Sequence, residues 1–329
     1  MNISFIFSEI AVLKPASNLK MNPKSPEARS RDDRPFDGMI ISDSNCLNTL
    51  DSRSSCPVCG KSRMYFCYTC FVLVSDLKGK VPFCKLPIKV DIIKHKREID
   101  GKSTAAHAAV LAPEDVNIYT YPTVPRYEND GRTVLLYPGS QAISVNELFM
   151  DKQDSMSYSE YVLSQLPHGY NVGTLMTQIC PNNRQNSKTI YHTERLPVDR
   201  VVLIDSTWNQ SRGIYGDERL HKLPKIVLQK RASQFWRHQK GSPRWYLSTI
   251  EALHQLVLEL HVCAWGCSEH YKNNLTLEFP IHGSTENHTQ CIPYDGQYDN
   301  LLFFFKYMYE KLHTLYKHED LLAYKRPMK

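Results

Sequence analysis

The stretch that most constrains this chain is residues 201–216, VVLIDSTWNQSRGIYG, in which an apolar run ends abruptly in polar residues. Four apolar residues without polar alternation are typical of a strand buried on both faces of a parallel sheet. Asp205 follows, and Ser206 and Thr207 are residue types that begin helices. Because ligands bind where strands end and helices begin in open α/β sheets, Asp205 is predicted to face a crevice. Simple helix capping by Asp205 and Thr207 explains the pattern equally well.

The remaining apolar periodicity predicts an α/β fold with a mostly parallel sheet and helices on both faces. Further strands are predicted at the short apolar runs 86–93, 116–121, 134–137 and 223–228. Helices are predicted to begin at Ser103 or Thr104 and at Ser248, and a last helix is predicted over 299–317. Ser248 and Glu251 form an S-x-x-E capping box.

Two C-x-x-C pairs predict a structural zinc site. Their cysteines are Cys56, Cys59, Cys67 and Cys70. Four thiolates at this spacing can surround one Zn²⁺ tetrahedrally and leave no open position. The alternative is four incidental cysteines. With ten cysteines in all, four of them clustered, a reduced compartment is favoured over a disulfide framework.

A basic stretch interleaved with aromatic residues follows the 223–228 strand. Its members are Lys230, Arg231, Phe235, Trp236, Arg237, His238, Lys240, Arg244 and Trp245. Cations neutralise phosphates and flat rings stack on unpaired bases, so the stretch predicts contacts with RNA. A basic surface around core tryptophans is the alternative. The net charge of +6 permits an anionic partner without requiring one.

Asp-x-Thr-Trp after an apolar strand resembles the DTW motif of the tRNA-uridine aminocarboxypropyltransferases, a family grouped with the knotted SPOUT-type RNA-modifying enzymes. Six further blocks carry the resemblance, which extends over roughly residues 56–316 and points to the eukaryotic type-1 subfamily. They are LPIKVDIIKH at 86–95, DGKSTAAHA at 100–108, LAPEDVNIYTYP at 111–122, FWRHQKG at 235–241, LSTIEAL at 247–253 and GQYDNLLFF at 296–304.

The resemblance implies the reaction. Family members transfer the 3-amino-3-carboxypropyl group of S-adenosylmethionine to N3 of a tRNA uridine, forming acp3U and releasing methylthioadenosine. For the type-1 subfamily it further implies a D-loop uridine, the twentieth nucleotide, and a nuclear location. It also implies a C-terminal trefoil knot, which chain connectivity rules would not predict. Two alternatives stay open: a SPOUT-like RNA methyltransferase and a non-catalytic zinc-containing RNA-binding protein.

The resemblance also assigns roles to residues of this chain. Asp205 is expected to accept the N3 proton or to orient the uridine, Thr207 to position Asp205 or donor atoms, and Trp208 to wall the pocket. The expected donor-binding residues are Pro138, Gly139, Ser206, Ser248, Thr249 and Glu251. The expected RNA-binding residues are His95, Lys102, Ser103, Thr104, Arg231, Trp236, Arg237, His238 and Lys240.

Composition divides the chain into four parts. These are a flexible leader 1–55, the zinc knuckle 56–84, the catalytic domain 85–317 with polar insertions at 151–194 and 269–297, and a polar tail 318–329. The sequence shows no secretory signal and no apolar run long enough to cross a bilayer. It does not determine the oligomeric state.

Overall fold

The computed structural model describes residues 34–139, 141–150, 195–238, 242–271 and 292–326. The predicted insertion at 151–194, most of the one at 269–297, and Lys240 lie outside the described residues. So does the side chain of Trp208, although its backbone is described. Within the described ranges, no helix combines the length and apolar character needed to cross a bilayer.

The amino-terminal part holds one short helix and two small antiparallel strand pairs. The helix is α1 (Asn45–Asn48), and the pairs are β1 (Ser54–Ser55) with β2 (Ser62–Arg63), and β3 (Phe66–Cys67) with β4 (Val72–Leu73). Cys56 and Cys59 lie between β1 and β2, and Cys67 and Cys70 lie at the turn from β3 to β4. Each pair of cysteines therefore occupies one hairpin.

The rest of the chain builds one six-stranded sheet with its helices. The strands are β5 (Lys89–Lys94), β6 (Val116–Thr120), β7 (Thr133–Leu136), β8 (Ile143–Ser144), β9 (Arg200–Asp205) and β10 (Lys225–Val227). The helices are α2 (Ala105–Leu111), α3 (Trp208–Tyr215), α4 (Glu218–His221), α5 (Thr249–Trp265) and α6 (Phe303–His313). The strand order is β6-β5-β9-β7-β10-β8, and every neighbouring pair is parallel.

β9 lies in the interior of this sheet and is buried on both faces, as its apolar run predicts. Val201 and Leu203 belong to the core formed with α2 and α5, whereas Val202 and Ile204 belong to the core formed with α3 and α4. Alternate side chains of a strand point to opposite faces, so a run without polar residues requires cover on both. The predicted parallel α/β sheet with helices on both faces is confirmed.

The two hairpins that carry the predicted zinc ligands, β1–β2 and β3–β4 (the zinc hairpins), share a core with the six-stranded sheet and its helices. Phe66 of β3 and Leu47 of α1 pack with Leu111 of α2 and with Phe303 and Phe304 of α6. Ring centroids of Phe66 and Phe304 are 4.7 Å apart. The hairpins are therefore fixed against α2 and α6, and the loop before α2 begins at the carboxyl end of β5.

The described part of the predicted flexible leader is packed, which differs from expectation. Phe36 contacts the rings of Phe305 and Tyr309, and Leu47 is fully buried. The Ile40 amide donates to the Asp299 carboxylate at 2.8 Å. The polar composition of this segment concealed a few apolar residues that cover α6.

The two other regions predicted to be polar also contribute buried residues where they are described. Tyr271 and Tyr294, at the two ends of the second insertion, both donate to Asp299. In the carboxyl-terminal tail, Tyr324 is buried and donates to the carbonyl of Gln234 at 3.1 Å. Polar composition averaged over a segment does not reveal single aromatic residues that anchor it.

Candidate active site

Asp205 is the point at which three separate sequence blocks meet. Its side chain lies at the carboxyl end of β9 and is 1% exposed. Ser103 Oγ donates to Asp205 Oδ2 at 2.6 Å, and Thr249 Oγ1 donates to Asp205 Oδ1 at 2.6 Å. Hydrogen bonds to an ionised acceptor are shorter and stronger than neutral ones. The Asp205 carboxylate thus holds Ser103, just before α2, and Thr249, at the start of α5, together. These two hydrogen bonds form the clamp on Asp205.

The starts of α2 and α5 are linked directly as well. The Ile250 amide donates to Thr104 Oγ1 at 3.2 Å, while the Ala105 amide donates to Ser103 Oγ at 3.1 Å. Thr104 is the N-cap residue of α2, yet its hydroxyl accepts from an amide of α5. The hydroxyl of Ser103 accepts from the first turn of α2 instead. Two helix amino termini therefore lie side by side at the edge where β9 ends.

The predicted capping box at the start of α5 is confirmed, and it has a second task. Glu251 accepts hydrogen bonds from the Ser248 amide and hydroxyl, each at 2.8 Å. The same carboxylate accepts from Ser233 Oγ at 2.8 Å and from the Gln234 amide at 2.7 Å. Glu251 thereby fixes the segment that carries Phe235, because its four hydrogen bonds join that segment to the start of α5.

The strands on either side of β9 bring further predicted residues to this edge. Lys94 of β5 is in register with Asp205, and the His95 amide donates to the Asp205 carbonyl at 2.9 Å. On the other side Leu136 of β7 is in register with Leu203, so Pro138, two residues on, comes level with Asp205. Gly139 follows it.

The DxTW turn itself is arranged by backbone capping. Ser206 is fully buried and donates to the Thr207 carbonyl at 3.2 Å. Thr207 is the N-cap of α3 and forms a capping box with Gln210, whose Oε1 accepts from the Thr207 amide at 3.1 Å. The capping interpretation of Thr207 is therefore correct, and it fixes the direction in which α3 leaves β9.

A cavity of about 220 Å³ opens between the zinc hairpins and the loop that precedes α2. It is lined by Arg53, Arg63, Met64, Tyr65, Phe66, Tyr68, Asp100, Gly101, Lys102, Ser103, Thr104, His107, Phe235, Trp236, Arg237 and Met308. Four of these side chains are arginine or lysine, against one aspartate, and five are Phe, Tyr or Trp. Arg63 lies over the Tyr68 ring at 3.9 Å. This combination suits a phosphorylated ring compound.

Asp205 does not line this cavity, which differs from the expectation that its carboxylate faces the crevice directly. Ser103 and Thr104 do line it, and Ser103 connects the cavity wall to the carboxylate. The acid therefore lies one hydroxyl group behind the wall. The reason is that the loop before α2 folds back over the end of β9, and a strand pattern cannot show this.

Of the predicted RNA-binding residues, Lys102, Ser103, Thr104, Trp236 and Arg237 line the cavity together. Three others that the structure describes lie elsewhere. Arg231 is 6% exposed and donates to the carbonyl of Glu251 at 3.2 Å, so its guanidinium lies inside the protein. His238 is exposed and contacts the carbonyl of Leu322, and His95 is half-buried at the end of β5.

His107, which lines the cavity, and Glu98, in the loop before α2, are both buried and have shifted pKa values. Burial lowers the pKa of His107 to about 3, so its ring is neutral between Phe66 and Phe304. Burial, and then the nearby Asp205 carboxylate, raise the pKa of Glu98 to about 8. Glu98 is 6% exposed. Sequence reasoning missed Glu98, because a single glutamate in a charged loop carries no recognisable pattern.

The four predicted zinc ligands come together as expected. Their sulfur atoms all lie within 4.8 Å of one another, and the Sγ atoms of Cys59 and Cys67 are 3.7 Å apart. Zn–S bonds of about 2.3 Å in a tetrahedron require sulfur separations of about 3.8 Å. Gly60, with φ of +70°, forms the turn of the first hairpin, where its amide donates to the Cys56 carbonyl. The cluster fits a Zn²⁺ ion.

Comparison with known proteins agrees with this arrangement. The DTW domain family matches residues 64–313. A Xenopus tropicalis protein named tRNA-uridine aminocarboxypropyltransferase 1 is 39% identical over 262 residues, 78% of each chain. The rat protein of the same name is 36% identical over 310 residues, covering 89% of this chain and 88% of the relative.

The human protein of that name is 39% identical over 263 residues, covering 78% of this chain and 76% of the relative. No solved structure matches the chain. The family match spans most of the chain, from the second cysteine hairpin through α6, and includes every element that surrounds Asp205. This chain therefore belongs to the DTW-domain family.

Proposed function

We propose that this protein transfers the 3-amino-3-carboxypropyl group of S-adenosylmethionine to N3 of a uridine in tRNA. The observation that carries the proposal is the clamp on Asp205, in which Ser103 and Thr249 bring the three family blocks to one sheet edge beside a basic, aromatic cavity. The named relatives, alike over more than three quarters of the chain, support the same reaction.

In this proposal the cavity receives the uridine, turned out of the RNA stack. A base presents a flat face that aromatic rings can stack on, and the flanking phosphates need cations. Trp236 and Tyr68 offer rings, and Lys102 and Arg237, both exposed, offer charge. The zinc hairpins form one wall, so Zn²⁺ held by the four cysteines supports the RNA site structurally.

The donor belongs on the other side of the clamp in this proposal, where Pro138 and Gly139 come level with Asp205 and the amino termini of α3 and α5 begin. Free amides at helix starts favour a carboxylate such as that of a methionine moiety. S-adenosylmethionine supplies a carbon activated by its sulfonium. The protein has to hold N3 in line with that carbon, and such positioning is worth several kcal/mol.

The roles of the motif residues follow from their contacts. Asp205 holds the Ser103 side of the cavity against α5, and Thr207 fixes the start of α3. Removal of the N3 proton by Asp205 is the less supported of its two expected roles, because both of its carboxylate oxygens already accept hydrogen bonds from hydroxyl groups. The expected wall formed by Trp208 stays a prediction.

Incubation of the purified protein with unmodified tRNA and S-adenosylmethionine tests the proposal. We expect acp3U in the digested RNA and one methylthioadenosine per acp3U, both measured by mass spectrometry. Asp205→Asn should abolish the product, whereas Asp320→Asn, an exposed control, should not. S-adenosylhomocysteine as the product would instead indicate a methyltransferase. Tight tRNA binding without any donor-derived product would indicate a non-catalytic RNA-binding protein.

Three finer parts belong to the same proposal. The acceptor is the twentieth nucleotide, in the D-loop, which fragment mass spectrometry of the modified tRNA would locate. The protein is nuclear, which a fluorescent fusion would test. The chain carries a C-terminal trefoil knot, and this is supported by the interleaved order in which β9 lies between β5 and β7 and β10 lies between β7 and β8.

A further inference from the structure

The loop from residue 95 to residue 103 is closed at both ends on Asp205. At its start the His95 amide donates to the Asp205 carbonyl, and at its end the Ser103 hydroxyl donates to the Asp205 carboxylate. Within the loop, the amides of Lys102 and Ser103 donate to the carbonyl of Ile99 at 2.8 and 3.2 Å. Glu98 lies midway along this loop, which is hydrogen-bonded to the end of β9. Like Asp205, Glu98 is not among the residues that line the cavity, but residues 100–103 of its loop are.

The Glu98 carboxyl group is buried and incompletely satisfied. The residue is 6% exposed, and among the described residues no hydrogen-bond donor reaches Oε1. Its backbone amide is engaged, with the His95 carbonyl at 2.8 Å. Burying a carboxylate without a partner is costly, and an unsatisfied buried polar atom in a native fold calls for an explanation such as a catalytic role.

Three charged side chains act on Glu98 from the elements around it. Asp205 is on β9, Lys94 is on β5, and Lys102 is in the same loop. Burial is the largest influence and the Asp205 charge the next, and together they raise the pKa of Glu98 to about 8 against the opposing lysines. Lys94 is itself ion-paired with Asp100.

Asp205 and Glu98, the two acids at this edge of the sheet, differ in how their carboxyl oxygens are hydrogen-bonded. Both oxygens of Asp205 accept short hydrogen bonds from hydroxyl groups, at 2.6 Å each, whereas Oε1 of Glu98 has no donor within the described ranges. A carboxylate fixed in this way is suited to holding structure, and one with a free oxygen is suited to taking a proton. Pairs of acids whose environments separate their properties are typical of acid-base sites.

We propose that Glu98 is the general base that removes the N3 proton of the acceptor uridine, and that Asp205 is the positioning residue that holds the loop of Glu98. This inference rests on the proposed function. The N3–H proton passes to the Glu98 carboxylate, and the N3 electron pair forms a bond to the carbon attached to the sulfonium. The carbon–sulfur bond breaks, its electrons stay on sulfur, and neutral methylthioadenosine leaves.

The match between base and substrate favours Glu98. A base works best when its pKa lies near the operating pH, because it is then both deprotonated often enough and basic enough. An ordinary aspartate, with a pKa of about 3.9, is a weak base for the imide proton of uridine. The buried Glu98 is a stronger base, and the positive charge of a bound sulfonium would favour its ionised form.

Glu98→Gln tests the inference, because it keeps the size of the side chain and removes its basicity. We expect kcat to fall by roughly 10²–10⁴-fold, the usual contribution of a general base. Dissociation constants for S-adenosylmethionine and for tRNA should change by less than about threefold. The wild-type rate should rise with pH up to about 8, where Glu98 becomes ionised, and the variant should lose this rise.

A substrate with a more acidic N3 proton separates proton removal from other roles. In tRNA carrying 5-fluorouridine, the electron-withdrawing fluorine makes the N3 proton more acidic. Glu98→Gln should therefore lose much less activity on this tRNA than on normal tRNA. Glu114→Gln is the matched control, since Glu114 is exposed and lies before β6, at the opposite edge of the sheet. It should behave as wild type on both substrates.

Several outcomes would overturn the inference. Turnover of Glu98→Gln within twofold of wild type, an unchanged pH profile, or no relief by 5-fluorouridine would each exclude a base at this position. A loss confined to S-adenosylmethionine affinity would make Glu98 a donor-binding group instead. Should Glu98→Gln fail to fold, Glu98→Asp is expected to keep reduced activity with the pH rise intact, and loss of that rise contradicts the inference. Absence of acp3U with wild-type protein contradicts the proposed function itself.

Discussion

Replacing Thr249 by valine tests the clamp on Asp205 with the smallest change in shape. Valine keeps the β-branched outline at the first residue of α5 and removes only the hydroxyl that donates to Asp205 Oδ1 at 2.6 Å. Thr249 is 2% exposed and Asp205 is 1% exposed, so water cannot readily take the place of the lost donor. The substitution therefore removes a buried, charge-assisted hydrogen bond with little change in shape.

The expected cost follows from the kind of bond. A hydrogen bond to a charged group contributes about 1.5–3 kcal/mol, and removing the donor also leaves a buried carboxylate less well satisfied. We expect the free energy of unfolding to fall by about 2–3 kcal/mol. In an Asp205→Asn background the same change should cost less, with a coupling energy of about 1 kcal/mol or more, because residues in direct contact are not additive.

Urea unfolding monitored by tryptophan fluorescence, with zinc present throughout, measures these differences. Thr120→Val is the control, because Thr120 is exposed at the end of the edge strand β6 and should cost less than about 0.5 kcal/mol. Transfer to tRNA should also slow in Thr249→Val, since Asp205 would hold Ser103 and α5 less rigidly. Equal unfolding free energies for the two valine variants would refute the clamp.

Three further predictions concern other parts of the protein. Cys67→Ser should lose the one equivalent of zinc expected by elemental analysis and weaken tRNA binding more than donor binding in calorimetry. Burial alone would raise the pKa of Asp115, but hydrogen bonds led by that from Lys89 outweigh it and lower the pKa. Its stabilising effect, present above the unfolded pKa, is lost as pH falls through the lower folded pKa, so Asp115→Asn should reduce the acid sensitivity of urea unfolding. Gly296→Ala should cost more than about 1 kcal/mol in thermal melts, because φ is +84° and the new Cβ would lie 2.7 Å from Ile40 Cβ.

The local features of this protein were predictable because they depend on neighbouring residues. The unbroken apolar run of β9 requires cover on both faces, and the S-x-x-E spacing of Ser248 and Glu251 is a capping box in any helix. The C-x-x-C spacing likewise brings four thiolates together without reference to the rest of the fold. In each case the pattern that makes the prediction lies within one short stretch of the chain, and the structure confirms the prediction.

The composition of longer segments was a poorer guide. The leader was expected to be flexible to residue 55, but a small number of apolar side chains, Phe36 and Leu47 among them, pack on α6 and the zinc hairpins. Burial of a few large side chains is enough to order a polar segment when a matching surface exists elsewhere. The part of that surface on α6 is formed by residues more than 200 positions away, which no local average can detect.

What the sequence alone determined is the set of chemical groups and the short-range elements that carry them: the strand ending in Asp205, the caps at the helix starts, the four thiolates and the basic aromatic stretch. Only the tertiary structure decided which groups share a site. It placed Arg231 inside, set Asp205 one hydroxyl group behind the cavity wall, and left Glu98 buried with an oxygen that no donor in the described part of the chain reaches. The physical reason is that burial and hydrogen bonding depend on contacts between residues about 45 to 150 positions apart. Those contacts decide whether an acid holds neighbouring residues in place or is left able to accept a proton.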